Sequence, residues 1–363
     1  MNHNRLIEIF LQVAPLNGCS GREKPVADFI KKFLSPFGLL IIEDSSNIYS
    51  MSNTGNIICK KGDGGDFILL AHMDTARPTK DLKPEVKSDR IVSDGSTILG
   101  ADNRAGVSIL LFLFEHIFIE NINTKNFTVA FTTCEETTLM GSKKLGLNGQ
   151  IKKGFIFDSS HRPGNFIHSA CGSLGFRITV NGVASHSALA PEEGINSIAI
   201  ASNALCKIKQ GRLDSETTLN IGKINGGSAV NVVPEKTTIE GEIRSFKTER
   251  VEEKFEEVKN IFNAEAKALN GNCEIESQWE FEPYTVHAES KVYRYAVEAI
   301  KKTGFEPKPK VSLAGSDANS LNANGIEAIN FGIGAQNPHS NNEFILIEDI
   351  IKSAEIALEL VKQ

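Results

Sequence analysis

Phe67-Ile-Leu-Leu-Ala-His-Met-Asp-Thr75 is the stretch that decides the architecture. An unbroken apolar run, Phe67 to Ala71, leads straight into His72, and Asp74 follows two residues later. A short continuous apolar run marks a strand buried on both faces, as in a parallel sheet; a strand with one wet face alternates instead. Open α/β sheets place ligands just beyond the carboxyl ends of such strands. His72 at that position is a candidate metal ligand. Asp74 is near enough to hold the imidazole in one tautomer. A hydrogen-bonded histidine at a strand end would look the same in isolation, so the rest of the chain must decide.

Outward from this stretch the same grammar repeats. Ile57 to Cys59, Ile91-Val-Ser93, Phe127 to Thr133, Phe155-Ile-Phe157, a short strand near Val311 and Ala328 to Ile333 read as strands. Helical spacing is expected over residues 4–36, broken at Pro15-Leu-Asn-Gly18, then from about Asn103 to Ile119, over 290–303, after Asp317 and from Glu348. Ser20 and Glu23 have the spacing of a capping box for the second helix. Strands alternating with helices predict an α/β fold with a mainly parallel sheet covered by helices on both faces.

Near Cys171 the pattern changes. Phe176-Arg-Ile-Thr-Val180, Thr218 to Ile224 and Thr237 to Arg244 alternate cleanly, and Cys273 to Trp279 forms one more strand. Helices are expected over 192–208 and 249–269. The resulting order, βαββαβ, is ferredoxin-like. The chain is therefore read as 1–170 plus 281–363 forming one domain, with 171–280 inserted as a second.

Composition excludes several classes. The 363 residues are 40% hydrophobic and 23% charged, ordinary for a soluble protein with room for two cores. A net charge of −6 argues against nucleic acid or an anionic membrane as partner. The six cysteines are widely spaced, with no C-x-x-C pair, and read as small core residues in a reducing compartment. Arg5 and Glu8 interrupt any signal-peptide core, and the apolar stretch Leu110 to Phe118 is too short to span a bilayer. A cytoplasmic location is expected. Gly62-Asp-Gly-Gly65 lacks the Lys-Ser/Thr of a phosphate-binding loop.

Acidic residues recur where strands end. Asp102 opens the helix near 103, where it also fits an N-cap. Glu135 and Glu136 follow the strand 127–133 directly; adjacent carboxylates repel, so solvent, a base or a cation must compensate. Asp158 ends Phe155-Ile-Phe157, and His339 lies in Asn337-Pro-His-Ser-Asn-Asn-Glu343, beyond strand 328–333. In a parallel sheet these strand ends share one edge, so His72, Asp102, Glu135, Glu136 and Asp158 would converge. Such a crowd of anions requires positive charge, and a carboxylate–imidazole set suits zinc, manganese or cobalt.

His72-x-Asp74, Gly100-Ala-Asp102, Glu135-Glu136, Asp158 and His339, in this order, resemble the M20 family of dinuclear zinc peptidases. Gly315-Ser-Asp-Ala-Asn319 and Val92-Ser-Asp-Gly-Ser-Thr-Ile-Leu-Gly-Ala-Asp102 look like its peptidase T-like branch. The resemblance covers nearly the whole chain, the inserted domain included. It implies a zinc exopeptidase-like fold and two divalent metal ions per subunit. Asp102 would bridge the ions, His72 and Asp158 would complete one site, and Glu136 and His339 the other. Asp74 would orient His72, and Glu135 would be the general base for the metal-bridging water. The inserted domain would serve as lid and homodimer surface, with His186, Asn231 and Arg244 holding substrate. One departure is Thr137-Thr138, where relatives carry a small apolar residue and glycine; it bears on pocket shape.

The activity expected from this resemblance is release of residues from the amino end of short peptides, as by a tripeptidase. A carboxypeptidase, a dipeptidase or an N-acyl amino acid deacylase would use the same site. A non-catalytic binding protein on this fold would be expected to have lost ligands or the base.

Overall fold

A computed structural model describes residues 2–147 and 149–363, without the side chain of Thr138. The chain divides into two compact units: Met1–Ser169, Tyr284–Ser312 and Ser316–Gln363 form the first, and Ala170–Pro283 with Leu313–Gly315 the second. The return of Leu313–Gly315 to the second unit was not part of the expected 171–280 insertion. It has a local cause: the Leu313 carbonyl accepts from Arg244 Nη1 at 3.1 Å and from Cys171 Sγ at 3.0 Å. Gly315 lies so close to the Phe281 ring that an added Cβ would meet it at 2.6 Å.

The centre of the first unit is a parallel set of four strands, β1 (Phe67–His72), β2 (Phe127–Thr132), β3 (Lys153–Ser159) and β4 (Glu327–Gly332). Their spatial order is β2-β1-β3-β4. Every residue of β1 and β2 is buried, which is why both read as unbroken apolar or β-branched runs. The flanks are antiparallel: Ile57–Lys61 pairs with β2 and Asn165–Ala170 with β4. Phenylalanines 67, 127, 155, 157 and 331 pack ring against ring across the sheet, some stacked and some edge-on or tilted. Each buried ring of this kind contributes roughly 1.5–3 kcal/mol. The chain leaves β1 toward β2 and leaves β3 toward β4, so connections diverge between β1 and β3. That divergence opens a crevice at the carboxyl edge.

Helix α1 (Ala101–Ile119) lies against β1 and against the helices His3–Val13 and Ile347–Val361. It is buried on nearly all sides, which accounts for its apolarity. Asp102 and Asn103 have non-helical dihedrals, and Asn103 performs the capping, its Oδ1 accepting from the Gly106 N–H at 3.0 Å. The cap reading of Asp102 is thereby replaced, and its carboxylate is left available. The capping box expected at Ser20 and Glu23 is also absent. The N-cap residue Glu23 makes no side-chain cap on the helix Lys24–Leu34, whose first amide donates to Asn53 instead, and the Ser20 and Glu23 side chains make long-range bonds.

Ile91-Val-Ser93 is not in the main sheet. Arg90–Val92 belongs to a small antiparallel sheet with Glu85–Val86, Phe344–Leu346 and Ala335–Gln336. In it Gln336 pairs with Phe344, so residues 337–343 form a hairpin loop.

The second unit has the antiparallel strands Gly172–Asn181, Thr217–Gly226, Lys236–Ser245 and Asn272–Phe281, in the order expected of βαββαβ connectivity. Helices Ser197–Lys207 and Thr248–Ala268 pack on the sheet. Ile178, Val180, Ile200, Ile239, Ile243, Val258 and Phe262 fill the space between. Arg177, between buried Phe176 and Ile178, faces out, as the alternation requires.

Candidate active site and metal centre

All four parallel strands deliver chemistry to the same edge. His72 closes β1, Glu135 and Glu136 follow β2, Asp158 is the penultimate residue of β3, and His339 stands in the hairpin loop beyond β4. Asp102, at the start of α1, completes the group. His72 Nε2 lies 3.2 Å from Asp102 Oδ1, 3.2 Å from Asp158 Oδ1 and 3.9 Å from Glu135 Oε2. His339 Nε2 lies 3.0 Å from Glu136 Oε2 and 3.5 Å from Asp102 Oδ2. The two oxygens of Asp102 thus face two different imidazoles. Two ligand triads result, His72/Asp102/Asp158 and Asp102/Glu136/His339, sharing Asp102.

Asp74 sits beneath this group and is fully buried. Its Oδ1 is 3.3 Å from His72 Nδ1 and accepts from the Glu135 N–H at 3.1 Å. Its Oδ2 accepts from the Glu136 N–H at 3.1 Å and from Ser20 Oγ at 2.7 Å. Asp74 therefore meets the histidine through both its backbone carbonyl, 3.0 Å from His72 Nδ1, and its carboxylate, which also holds both glutamate amides. The preceding amide, of Cys134, donates to Glu23 Oε1 at 2.9 Å. Cys134 has a left-handed φ of 52°, a conformation that costs energy for a residue with a Cβ and needs such fixation. Burial, with Glu23 and Asp74 nearby, pushes its thiol up to about 12, which favours the protonated form.

The electrostatics are those of a buried cluster of carboxylates around two imidazoles. Burial pushes the Glu135 carboxyl well above the usual carboxylate range; His72 opposes this, while Asp158, Asp317 and Glu136 add to it. Burial raises Glu136 and Asp158 in the same way. Burial works against charging His72, yet Glu135, Asp102, Asp158 and Asp74 hold its pKa well above the ordinary histidine value. Bonds to Asp102 and Glu136 bring His339 up to about 10. Burial also opposes ionisation of Asp102, but His339 and His72 hold it well below the carboxylate range. The donor set of two imidazoles and three carboxylates fits divalent cations, which would neutralise it without a proton on either ring.

Further residues belong to the site that sequence reasoning did not single out. Glu343, 1% exposed, accepts from the Gly100 N–H at 2.7 Å and the Asp102 N–H at 3.0 Å. Burial brings it up to about 7. Asp317 is buried, accepts from Thr132 Oγ1 at 2.5 Å, and is raised by burial to about 6. Both lie in stretches quoted for other reasons, Asn337 to Glu343 and Gly315 to Asn319; an acidic residue in an otherwise small, polar run was the available signal. His116 stacks on Phe112, and His168 Nδ1 contacts the Val286 carbonyl; neither belongs to the two triads. The side chain of Thr138 lies outside the described residues.

His186, Asn231 and Arg244 belong to the second unit. His186 and Asn231 are exposed and neighbouring: His186 bridges to Val232, and the Ser187 N–H donates to the Asn231 carbonyl at 3.1 Å. His186 Nδ1 accepts from the amides of Ala188 and Leu189, which puts its ring proton on Nε2. Arg244 is at the far end of Lys236–Ser245, donating to Glu242 and Leu313. At about 3.3 Å per residue, that strand alone separates it from the other two by roughly 25 Å.

A mostly parallel α/β sheet, two carboxylate–imidazole triads at its carboxyl edge and an inserted antiparallel domain together have the make-up of a metal-dependent hydrolase. Comparison with known proteins places it more closely. Residues 168–270 match the peptidase dimerisation domain of the M20 family. An uncharacterized protein of Bacillus subtilis, YqjE, is 31% identical over 100% of this chain and 99% of its own length. The crystal structure of a tripeptidase from Staphylococcus aureus superposes with a TM-score of 0.93 at 29% identity, covering 100% of this chain and 98% of the other. That of aminopeptidase PepT from Bacillus cereus gives a TM-score of 0.90 at 31% identity, covering 99% and 98%. The chain belongs to the M20 peptidases, in the peptidase T-like group. Among the described residues no helix is long and apolar enough to cross a membrane.

Proposed function

We propose that this protein is a dinuclear metal exopeptidase that removes the amino-terminal residue of short peptides, tripeptides among them. The observation that carries the reading is the sharing of Asp102 between two triads, each with its own histidine. His72 and Asp158 would hold one divalent ion, Glu136 and His339 the other, with Asp102 common to both; zinc suits this donor set, and cobalt or manganese could replace it. When bound, such ions polarise the scissile carbonyl and make water acidic enough to act near neutral pH.

Everything else is assigned to the chain. Glu135 lies 3.9 Å from His72 Nε2 and belongs to neither triad, which leaves its carboxylate free to move a proton. It accepts one from the attacking water and returns it to the leaving amine. Its raised affinity for protons suits a group that must both take and give. Asp74 keeps the base and its neighbouring ligand in register by holding their amides. His186, with its proton on Nε2, is a donor for the developing oxyanion, and Asn231 and Arg244 hold substrate. One copy cannot present His186 and Arg244 to the same short peptide across roughly 25 Å. That separation favours a homodimer in which the second unit of one subunit serves its neighbour. A cytoplasmic location completes the proposal.

Elemental analysis of purified protein, with hydrolysis of di-, tri- and tetrapeptides before and after chelation, tests the reading. Two metal ions per chain, activity lost on chelation and restored by Zn2+, and a requirement for a free α-amine are expected. Hydrolysis of amino-blocked peptides at equal rates would favour a carboxypeptidase or deacylase. Glu135→Ala is expected to lower kcat by at least about 100-fold while metal content stays at the wild-type level. Unchanged hydrolysis would remove Glu135 from its role.

A further inference from the structure

We infer that Glu343 is a positioning residue for the metal centre, a carboxylate clamp that ties the loop carrying His339 to the segment carrying the shared Asp102, and so acts more on the half containing His339 than on the half containing His72. The inference rests on the metal reading above. Glu343 closes the hairpin loop 337–343 that carries His339. Its two oxygens are divided between two backbone amides of the segment that carries Asp102: Oε2 takes the Gly100 N–H at 2.7 Å and Oε1 the Asp102 N–H at 3.0 Å. The side chain is buried, so water does not offer the amides an alternative. One residue thereby ties the loop of one ligand to the backbone of the shared ligand.

The loop needs this tie. His339 and Asn337 both have left-handed φ values, 64° and 52°, which residues with a Cβ adopt only when their surroundings impose it. The other anchors are at the surface: Arg77 Nη1 donates to Asn341 Oδ1 at 3.0 Å, and Asn341 Nδ2 to the Gly95 carbonyl at 2.9 Å. His339 itself is half exposed. By contrast His72 and Asp158 are set by the central strands β1 and β3 and do not depend on this loop.

Only a carboxylate can do this. In Glu343→Gln the amide nitrogen must replace one oxygen, so an N–H donor faces a backbone N–H and one buried donor is orphaned. The Asp102 backbone and the loop then separate, and the His339 side of the centre loosens. Glu343→Asp keeps both oxygens but shortens the reach, so it should produce the same asymmetry in weaker form.

The test is calorimetric titration of chelator-stripped wild type, Glu343→Gln, Glu343→Asp and His339→Ala with Zn2+, with circular dichroism to confirm folding. Wild type is expected to bind two ions. Glu343→Gln should lose at least tenfold in affinity for one ion and keep the other within about threefold, so that it resembles His339→Ala. If Glu343→Gln does not fold, Glu343→Asp must show the same one-sided loss. Two ions bound with wild-type affinities in the folded variant, or equal weakening of both, overturns the clamp and leaves the metal reading intact. Wild type that takes up no Zn2+ overturns the metal reading, and the clamp with it.

Discussion

The two halves of the candidate metal centre use the same ligand chemistry on very different foundations. His72 and Asp158 stand on adjacent, fully packed parallel strands, and the His72 side chain is 2% exposed. Glu136 follows a tight turn, and His339 rides a surface hairpin with 51% of its side chain exposed. Asp102 belongs to both. The rigid half is built by the same apolar burial that builds the sheet, so its geometry comes with folding. The other half, in which His339 is exposed although Glu136 is buried, lies off the strands and is assembled from individual polar bonds: the glutamate amides to Asp74, the Asp102 segment to Glu343. A centre whose ligands must fit a cation and also admit a substrate gains from having one fixed wall and one open one.

Removal of the histidines should break the two halves unequally. In the metal-free protein, His72→Ala leaves Asp102, Asp158 and Glu135 buried without their nearest cation. Breaking a buried ion pair from one side costs about 3–5 kcal/mol. His339→Ala removes a half-exposed imidazole from buried Glu136 and Asp102, so screening by solvent should keep the loss smaller, at about 1–3 kcal/mol. Urea unfolding of chelator-treated proteins measures both. Equal losses would mean that burial does not distinguish the halves.

A smaller effect is expected where the halves meet the base. In Asp74→Asn, one oxygen becomes an amide donor facing the N–H of Glu135 or Glu136, leaving a buried donor unpaired at about 1–3 kcal/mol. The expectation is a 10- to 100-fold fall in kcat, with KM and metal content little changed, because His72 can still rest on the Asp74 backbone carbonyl at 3.0 Å. Ser20→Ala removes only the hydroxyl bond to the same carboxylate and should cost about 1 kcal/mol in stability or less. Steady-state kinetics of the two variants, set against zinc content, test the order. A kcat for Ser20→Ala as low as that for Asp74→Asn would deny Asp74 its hold on the glutamate turn.

The contrast between halves also explains what could be read from residues alone. The parallel strands announce themselves because burial on both faces demands unbroken apolar runs, and polar residues at their ends are then conspicuous. His72, Glu135, Glu136 and Asp158 were legible for that reason. The supports were not. Ser20 and Glu23 have capping-box spacing, yet their side chains reach Asp74 and the Cys134 amide, partners far along the chain that leave no periodic trace. Asp102 looked like a cap because the true cap, Asn103, is its neighbour. Arg90–Val92 was too short to reveal that its partner strand, Phe344–Leu346, follows the His339 loop. Backbone amides that donate to side-chain carboxylates are invisible in a sequence, and the supports of Glu136 and Asp102 are of that kind.

The last test concerns protons, and here the halves should act together. Glu135, Glu136, Asp158, His72 and His339 all have folded-state pKa values raised above their ordinary ones. In the metal-free protein the native state therefore binds more protons than the unfolded chain. A raised group stabilises below its unfolded value and loses that contribution as pH climbs through the folded value. Stability should thus fall gradually from about pH 5 upward, with the His339 share, kept small by exposure, persisting until about pH 10. Asp102 and Asp74 are shifted the other way, but their contributions are lost only below the ordinary aspartate range, outside this window; His116 and His161, lowered by burial, oppose the fall near the ordinary histidine range. Metal reverses the slope. Its ligands must shed protons to bind, so stabilisation by Zn2+ grows with pH. Thermal melts from pH 5 to 9 should therefore fall with pH after chelation and rise with pH at fixed excess Zn2+, and His339→Ala should flatten the upper end of the first curve more than its middle. Parallel curves with and without metal would mean that these acids and imidazoles do not meet a cation at all.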